Sequence, residues 1–191
     1  MKPRLSVVVP VYNEGESVVP FLDRLFASVT LPCEVLTIYD SPDDTTLPFL
    51  EKYARDEDRL RPTHNTYGRG PANALRYGFD NATADVIVVT MADGSDVARQ
   101  IDDLARLVER GVVVAGASPY MQGGQQVGGP FLKRTLSRVA GRSLHLLARV
   151  GTHDATNSFK AYSRAFVRDV GIESGSGFEV GLELVAKARR R

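Results

Sequence analysis

Carboxylates recur in this chain where short apolar runs give way to turn residues. Glu14 follows the run from Leu5 to Pro10; Asp40, Asp43 and Asp44 follow Cys33 to Tyr39; Asp93 and Asp96 follow the run ending at Met91. A single loop carboxylate is ordinarily a turn former or a helix cap. Three acidic clusters, each behind its own apolar run, point instead to a shared site. Carboxylates repel a bare phosphate, so the natural complement of such a site is a divalent cation or a hydroxyl-rich ligand. Magnesium commonly takes one or two protein carboxylates and fills its remaining positions with substrate phosphates and water, so one aspartate can suffice.

Basic residues gather elsewhere. Lys133 and Ser137, and Arg134 and Arg138, are each spaced i, i+4 at the start of a stretch whose apolar residues Leu132, Leu136, Val139 and Leu147 fall on one helical face. The two stripes suit either an anionic ligand or an ordinary solvated basic face. His64, His145 and His153 have no metal-ligand spacing; only His153, beside Asp154, invites a test. Cys33 is alone, which excludes an intramolecular disulfide.

Alternation of β-branched runs with helical patterns is the signature of an α/β domain with a mostly parallel sheet and helices on both faces. Strands are expected at Leu5 to Pro10, Cys33 to Tyr39, Leu60 to Thr63, Asp85 to Met91 and Val112 to Ala115. Val18, Phe21, Leu22, Leu25, Phe26 and Val29 mark the first helix, residues 46–55 and 72–79 the next two, and Ile101, Leu104, Leu107 and Val108 the fourth. The Gly-rich segment from Met121 to Pro130 reads as a loop. In such sheets ligands bind beyond the carboxyl ends of strands, where the acidic clusters fall.

A chain of 191 residues with 43% hydrophobic and 25% charged residues has the make-up of one globular domain, and no linker or repeat divides it. The formal net charge of +1 gives no whole-molecule attraction to nucleic acid. No apolar run approaches the roughly 18 residues a membrane helix needs, and the run after Lys2 and Arg4 lacks a signal cleavage site. The expectation is a cytoplasmic protein without a transmembrane segment in this chain, for which the Asn81-Ala82-Thr83 sequon goes unused.

The order of these motifs resembles one family. Ser6 to Glu14, reading SVVVPVYNE, resembles the opening strand and nucleotide loop of family-2 glycosyltransferases, Tyr39 to Thr45 the acidic second loop, and Gly68 to Gly78 the Gly-rich helix start. Val88 to Asp96 corresponds to the metal-site strand, while Asp154 to Tyr162 and Gly177-Phe178-Glu179 resemble later segments of the dolichol- and polyprenyl-phosphate mannosyltransferases. The resemblance implies a single GT-A-like, Rossmann-like domain over residues 1–191, with a C-terminal truncation left open because relatives continue past the last helix. It implies inverting, metal-dependent transfer of a hexose from a GDP- or UDP-hexose donor to a polyprenyl phosphate, with Mg2+ or Mn2+ and a peripheral seat at the inner membrane face. Carried over residue by residue, the donor contacts would be Pro10, Tyr12, Glu14, Asp40, Asp43, Arg69, Ala92 and Asp93, with Pro10, Tyr12 and Glu14 at the base and ribose. Asp93 would hold the metal, Asp93 and Asp154 would be the catalytic carboxylates, and Lys133, Arg134, Ser137 and Arg138 would meet the acceptor phosphate.

Two positions depart from the family pattern. Met91 stands where the first acid of the Asp-x-Asp pair belongs, and a thioether is a poor ligand for a hard cation. Pro119 in Ser118-Pro119-Tyr120 stands where an arginine would help hold the acceptor phosphate. An ionised phosphate acceptor needs no strong general base, whereas a sugar hydroxyl would need one, for which Asp154 and Glu179 are available. A hydroxyl acceptor, or a nucleotide-sugar-binding module with reduced catalysis, therefore stands beside the lipid-phosphate reading. A nucleotidyltransferase would need a Gly-rich basic loop directly after strand one, and a Rossmann dehydrogenase a third glycine after Gly68-Arg69-Gly70; the chain has neither.

Overall fold

The computed structural model describes residues 2–117, 158–175, 177 and 179–190. Among these residues six strands form one sheet: β1 (Leu5–Pro10), β2 (Cys33–Tyr39), β3 (Leu60–His64), β4 (Val86–Val89), β5 (Val114–Gly116) and β6 (Lys160–Ser163), in the spatial order β3-β2-β1-β4-β6-β5. The first four run parallel, and β6 runs antiparallel to both β4 and β5. Central β1, paired on both sides, has all six residues buried, which is why it reads as a continuous apolar run without alternation.

Alternate residues of each strand feed two cores. Leu5, Val7 and Val9 pack with α1 (Val18–Ser28), α2 (Leu47–Tyr53) and α4 (Gln100–Glu109). Val8, Leu36, Ile38, Ile87 and Val89 pack with α3 (Pro71–Asn81), α5 (Arg164–Val170) and α6 (Glu179–Arg189) on the other face. Each buried Val or Leu contributes roughly 1.5–3 kcal/mol, so the two faces together hold the sheet rigid beneath its loops. Helix α3 lies close against β1 because Gly78 lacks a side chain; a Cβ there would fall 2.4 Å from Val8 Cγ1.

A polar knot closes the amino edge of the parallel strands. Buried Glu34 accepts hydrogen bonds from Ser6 Oγ (2.6 Å), Thr83 N (2.7 Å) and Thr83 Oγ1 (2.7 Å), and it pairs with Arg61. Ser6 Oγ in turn accepts from Ala84 N at 3.0 Å. Burial alone would raise the Glu34 carboxyl, but these donors outweigh it and hold the group below its usual range. The knot ties β1, β2, β3 and the turn before β4 into one register.

The expected mostly parallel α/β fold with helices on both faces is what the chain adopts, and its elements differ from the sequence reading at their ends. Strand β4 stops at Val89 rather than Met91, because Met91 N leaves the ladder to donate to Asp96. Strand β5 starts at Val114 rather than Val112, whose N–H instead closes the end of α4 by donating to Leu107 O. Leu107 itself is 41% exposed; the buried face of α4 is Ile101, Leu104, Ala105 and Val108. The antiparallel β6 had no periodic signal, being four residues long. Met121 to Pro130 and the basic stretch after it lie outside the described residues.

Candidate functional site at the carboxyl edge

At the opposite edge the acidic clusters meet. The β1 chain turns sharply after Tyr12, with Asn13 at φ +55°, a left-handed conformation that asparagine tolerates better than most residues. Buried Asp44 fixes this turn: its carboxylate accepts from Asn13 N (3.2 and 3.1 Å) and Thr46 N (2.8 Å). Thr46 Oγ1 accepts from Glu14 N at 2.9 Å, and Asn13 Oδ1 accepts from Thr45 N at 3.2 Å. The loops after β1 and β2 are thus locked together, leaving Tyr12 73% exposed, an aromatic face without a stacking partner among the described residues. Asp43 stays on the outside of the second loop, where its N–H donates to Ser41 Oγ at 3.2 Å.

Asp40, at the end of β2, is a tether. Its Oδ1 accepts from Asn65 Nδ2 and its Oδ2 from Gly70 N, both at 2.7 Å. Asn65 Nδ2 also reaches Gly68 O at 2.7 Å. Gly68 and Gly70, at φ +102° and +109°, adopt backbone conformations that a side chain would resist, so the loop can fold back on Asp40. Exposed Arg69 between them is thereby held at the carboxyl end of β2. Each Asp40 oxygen keeps a second lone pair for a ligand. His64 stacks on Tyr39, with ring centroids 5.3 Å apart.

The loop after β4 carries the remaining acids. Asp93 is exposed; its Oδ1 accepts from Ser95 N at 2.9 Å, while Oδ2 has no hydrogen-bond donor among the described residues. Asp96 is no helix cap, since α4 starts after Arg99; its carboxylate turns back to accept from Thr90 Oγ1 (2.8 Å) and Met91 N (3.1 Å). Ala92 is buried in the core, so the site can meet only its main chain. Lys160, 1% exposed at the start of β6 and in register with Val89, places a cation beneath this loop. Gly94, at φ +70°, lies so close to the Arg24 guanidinium that a Cβ would come within 2.6 Å of it.

The electrostatics join the clusters. Burial raises the Glu14 carboxyl, and the charges of Asp93 and Asp44 raise it further. Asp96 is raised chiefly by burial and also by Asp93, against the opposing pull of its two hydrogen bonds and of Lys160. Negative charge is therefore in excess where the loops after β1, β2 and β4 converge. Among the described residues no three acids, histidines or cysteines close on one point, so a cation here would depend on Asp93 together with the phosphates of a bound donor. The free Asp93 Oδ2 and the like-charged neighbours fit that arrangement, whereas the thioether of Met91 adds nothing to it.

Of the residues singled out in the sequence, Pro10, Tyr12, Glu14, Asp40, Asp43, Arg69, Ala92 and Asp93 all lie at this edge. Lys133, Arg134, Ser137, Arg138 and Asp154 lie outside the described residues. Glu179 is exposed at the first position of α6, and its neighbours Val180 and Gly181 line a narrow space shared with Val89 and Ser158. Sequence reasoning missed the supporting residues Thr46, Asn65 and Lys160, and it gave Asp44 no separate role. Nothing local to Asn13 names its partner Asp44, 31 residues away.

Residues 6–171 match the family described as glycosyl transferase family 2. The polyprenol monophosphomannose synthase of Mycolicibacterium smegmatis is 30% identical over 175 residues, covering 90% of this chain and 66% of that protein. The dolichol-phosphate mannosyltransferase of Pyrococcus furiosus is 26% identical over 190 residues, covering 97% and 53%. The chain thus spans less than two thirds of the length of either relative. Among solved structures, glucosyl-3-phosphoglycerate synthase from Mycobacterium tuberculosis, in complex with Mn2+, uridine diphosphate and glucosyl-3-phosphoglycerate, superposes with a TM-score of 0.69 at 19% identity, over 96% of this chain and 64% of that one. That likeness extends to the fold alone, the GT-A glycosyltransferase fold. With most of its length matched, from the first strand through α5, the chain belongs to glycosyl transferase family 2.

Proposed function

We propose that this chain transfers a hexose, with inversion, from a nucleoside diphosphate to a polyprenyl phosphate. The observation that carries the donor half is the convergence of Glu14, Asp44 and Asp93 beside an exposed Tyr12; burial raises Glu14, and the charges of Asp93 and Asp44 raise it further. Tyr12 would pack the base, Glu14 and Asp40 would accept hydrogen bonds from base or ribose hydroxyls and amines, and Arg69 would face the anionic end of the donor. Asp43 and the main chain of Ala92 complete the proposed donor contacts. Asp93 would hold Mg2+ or Mn2+ through its free oxygen. When bound, the cation offsets the charge that develops on the departing diphosphate.

The acceptor half rests on the relatives, two of which are named for mannosyl transfer to polyprenol or dolichol phosphate. An acceptor phosphate is already ionised near neutral pH, so Asp154 would orient it rather than take a proton from it. Lys133, Arg134, Ser137 and Arg138 would supply the positive field that Pro119 does not. A peripheral seat at the inner membrane face follows from such an acceptor; among the described residues no helix is long and apolar enough to cross a membrane.

The test is a transfer assay in which GDP- and UDP-hexoses are each offered with a polyprenyl phosphate or a free sugar acceptor, with and without the cation. Cation-dependent formation of a lipid-linked sugar is the expected result. Transfer only to the sugar hydroxyl would overturn the acceptor assignment. Within the lipid reaction, Lys133→Glu with Arg134→Glu should raise the acceptor KM while leaving donor affinity unchanged, and equal KM values would remove the basic stripes from the acceptor site.

A further inference from the structure

A second charged hollow lies away from the carboxyl edge, between α3 and α5. It measures about 200 Å3 and is lined by Arg76, Asp80, Arg164 and Arg168 over a floor that includes Phe79 and Val167. Helical spacing accounts for the convergence. Arg76 and Asp80 are i, i+4 on α3, Arg164 and Arg168 are i, i+4 on α5, and each helix turns its pair into the same gap.

The arginines are not there to neutralise acids. Among the described residues none of the three forms an ion pair, and Arg76 and Arg168 make no hydrogen bond. Arg164 is anchored from behind, its Nη1 donating to Thr83 O at 3.1 Å, while its Nε finds no acceptor among the described residues. Asp80 is the single acid among the described lining residues, and Tyr67 OH already donates to it at 2.9 Å. Three guanidinium groups against one carboxylate leave a net charge of +2 in the hollow. Guanidinium stays charged at any pH the protein survives, so an anion that enters offsets this repulsion.

We infer that this hollow is a binding site for a phosphate-monoester dianion, held by Arg76, Arg164 and Arg168 and separate from the donor site. Charge and shape both select that class. A dianion balances the net charge, and planar guanidinium forks match phosphate oxygens. The volume admits a phosphate with a small organic remainder but falls short of the roughly 300–1,000 Å3 that larger ligands occupy. Its position separates it from donor chemistry. Arg164 follows Ser163, which pairs with Val86 at the amino end of β4, whereas Asp93 lies beyond that strand's carboxyl end. A ligand here would therefore not compete with a nucleotide sugar. The phosphate could come from a soluble monoester or from a lipid whose headgroup is a bare phosphate.

The experiment uses the full chain, with Arg76→Gln/Arg168→Gln as the disrupting variant. Among the described residues these two arginines make no hydrogen bond, while Arg164, which ties down Thr83, is left in place. Arg110→Gln, at an exposed position after α4, is the control. Inorganic phosphate is titrated calorimetrically at constant ionic strength. Sedimentation is then compared for phosphatidylcholine vesicles with and without phosphatidic acid. Saturable phosphate binding, weakened about tenfold or more in the double variant and unchanged in the control, supports the site and a soluble ligand. Binding seen only with phosphatidic acid vesicles and lost in the double variant supports the site and a lipid source. No binding in either arm, or binding that the double variant retains in full, overturns the proposal.

Discussion

At the amino edge of the parallel strands, Glu34 is held below the usual carboxylate range, whereas at the carboxyl edge of the same strands Glu14 and Asp96 are pushed above it. Burial acts upward on all three, so what differs is the company each keeps. Glu34 has Ser6, Thr83 and Arg61 as donors. Glu14 has Asp93 and Asp44 as neighbours, and like charges favour its protonated form. One edge spends its polar groups on closing the fold, and the other leaves charge uncompensated where a ligand can offset it. The contrast locates the candidate site without reference to any relative.

The comparison breaks most severely if the amino edge is emptied. Glu34→Ala leaves Arg61, Ser6 and Thr83 without their common acceptor, and urea denaturation should register a loss of about 3 kcal/mol. Donor binding by the fraction that remains folded should be unchanged. A loss below about 0.5 kcal/mol would show that the knot is decoration.

Emptying the other edge should do the reverse. Asp93→Ala should cost little stability and weaken cation-dependent donor binding by about tenfold or more, roughly 1.4 kcal/mol. Asp96→Ala, which loosens only the turn under Met91, should weaken it less. Equal donor affinity for wild type and Asp93→Ala, with and without the cation, would remove the metal role.

The smallest effect concerns pH. Burial would raise Glu183, but Lys187, Ser174 and Glu173 N hold it down at about 2, the pattern of the amino edge transplanted to α6. A depressed carboxyl contributes stability that is complete above its unfolded value and fades as pH falls toward the folded one. For Glu183 that window runs from about 4.5 down to about 2. Glu183→Gln should therefore lower the melting temperature at neutral pH by a few degrees at most and flatten its acid dependence within that window. Parallel melting curves for the two proteins from neutral pH down to about pH 3 would contradict this.

Much of the carboxyl edge was legible in the sequence. The apolar runs of β1 and β2 were read with their true ends because central parallel strands are buried on both faces and show no competing periodicity. The carboxyl-edge position of Tyr12, Glu14, Asp40 and Asp93 then followed from topology alone, since loops after parallel strands emerge on one side. Strand ends at Met91 and Val112 were misjudged because Asp96 and Leu107 O, respectively, claim those N–H groups, and apolar pattern is blind to that competition.

The order of apolar runs and turn residues in the sequence therefore determined the fold class, the two helical faces and the edge at which the acids collect. Only the tertiary structure decided the work of each acid. Asp40 and Asp43 stand three residues apart, yet one tethers the Gly68–Gly70 loop and the other faces solvent. Asp44 reaches Asn13, and Glu34 gathers donors from residues as distant as Thr83. Lys160 joins the site only because β6 inserts beside β4. The physical reason is range. Apolar periodicity is a local property that a short window of sequence carries in full, whereas the ionisation of a carboxylate depends on charges and donors within a few ångströms in space, which chain folding brings from anywhere.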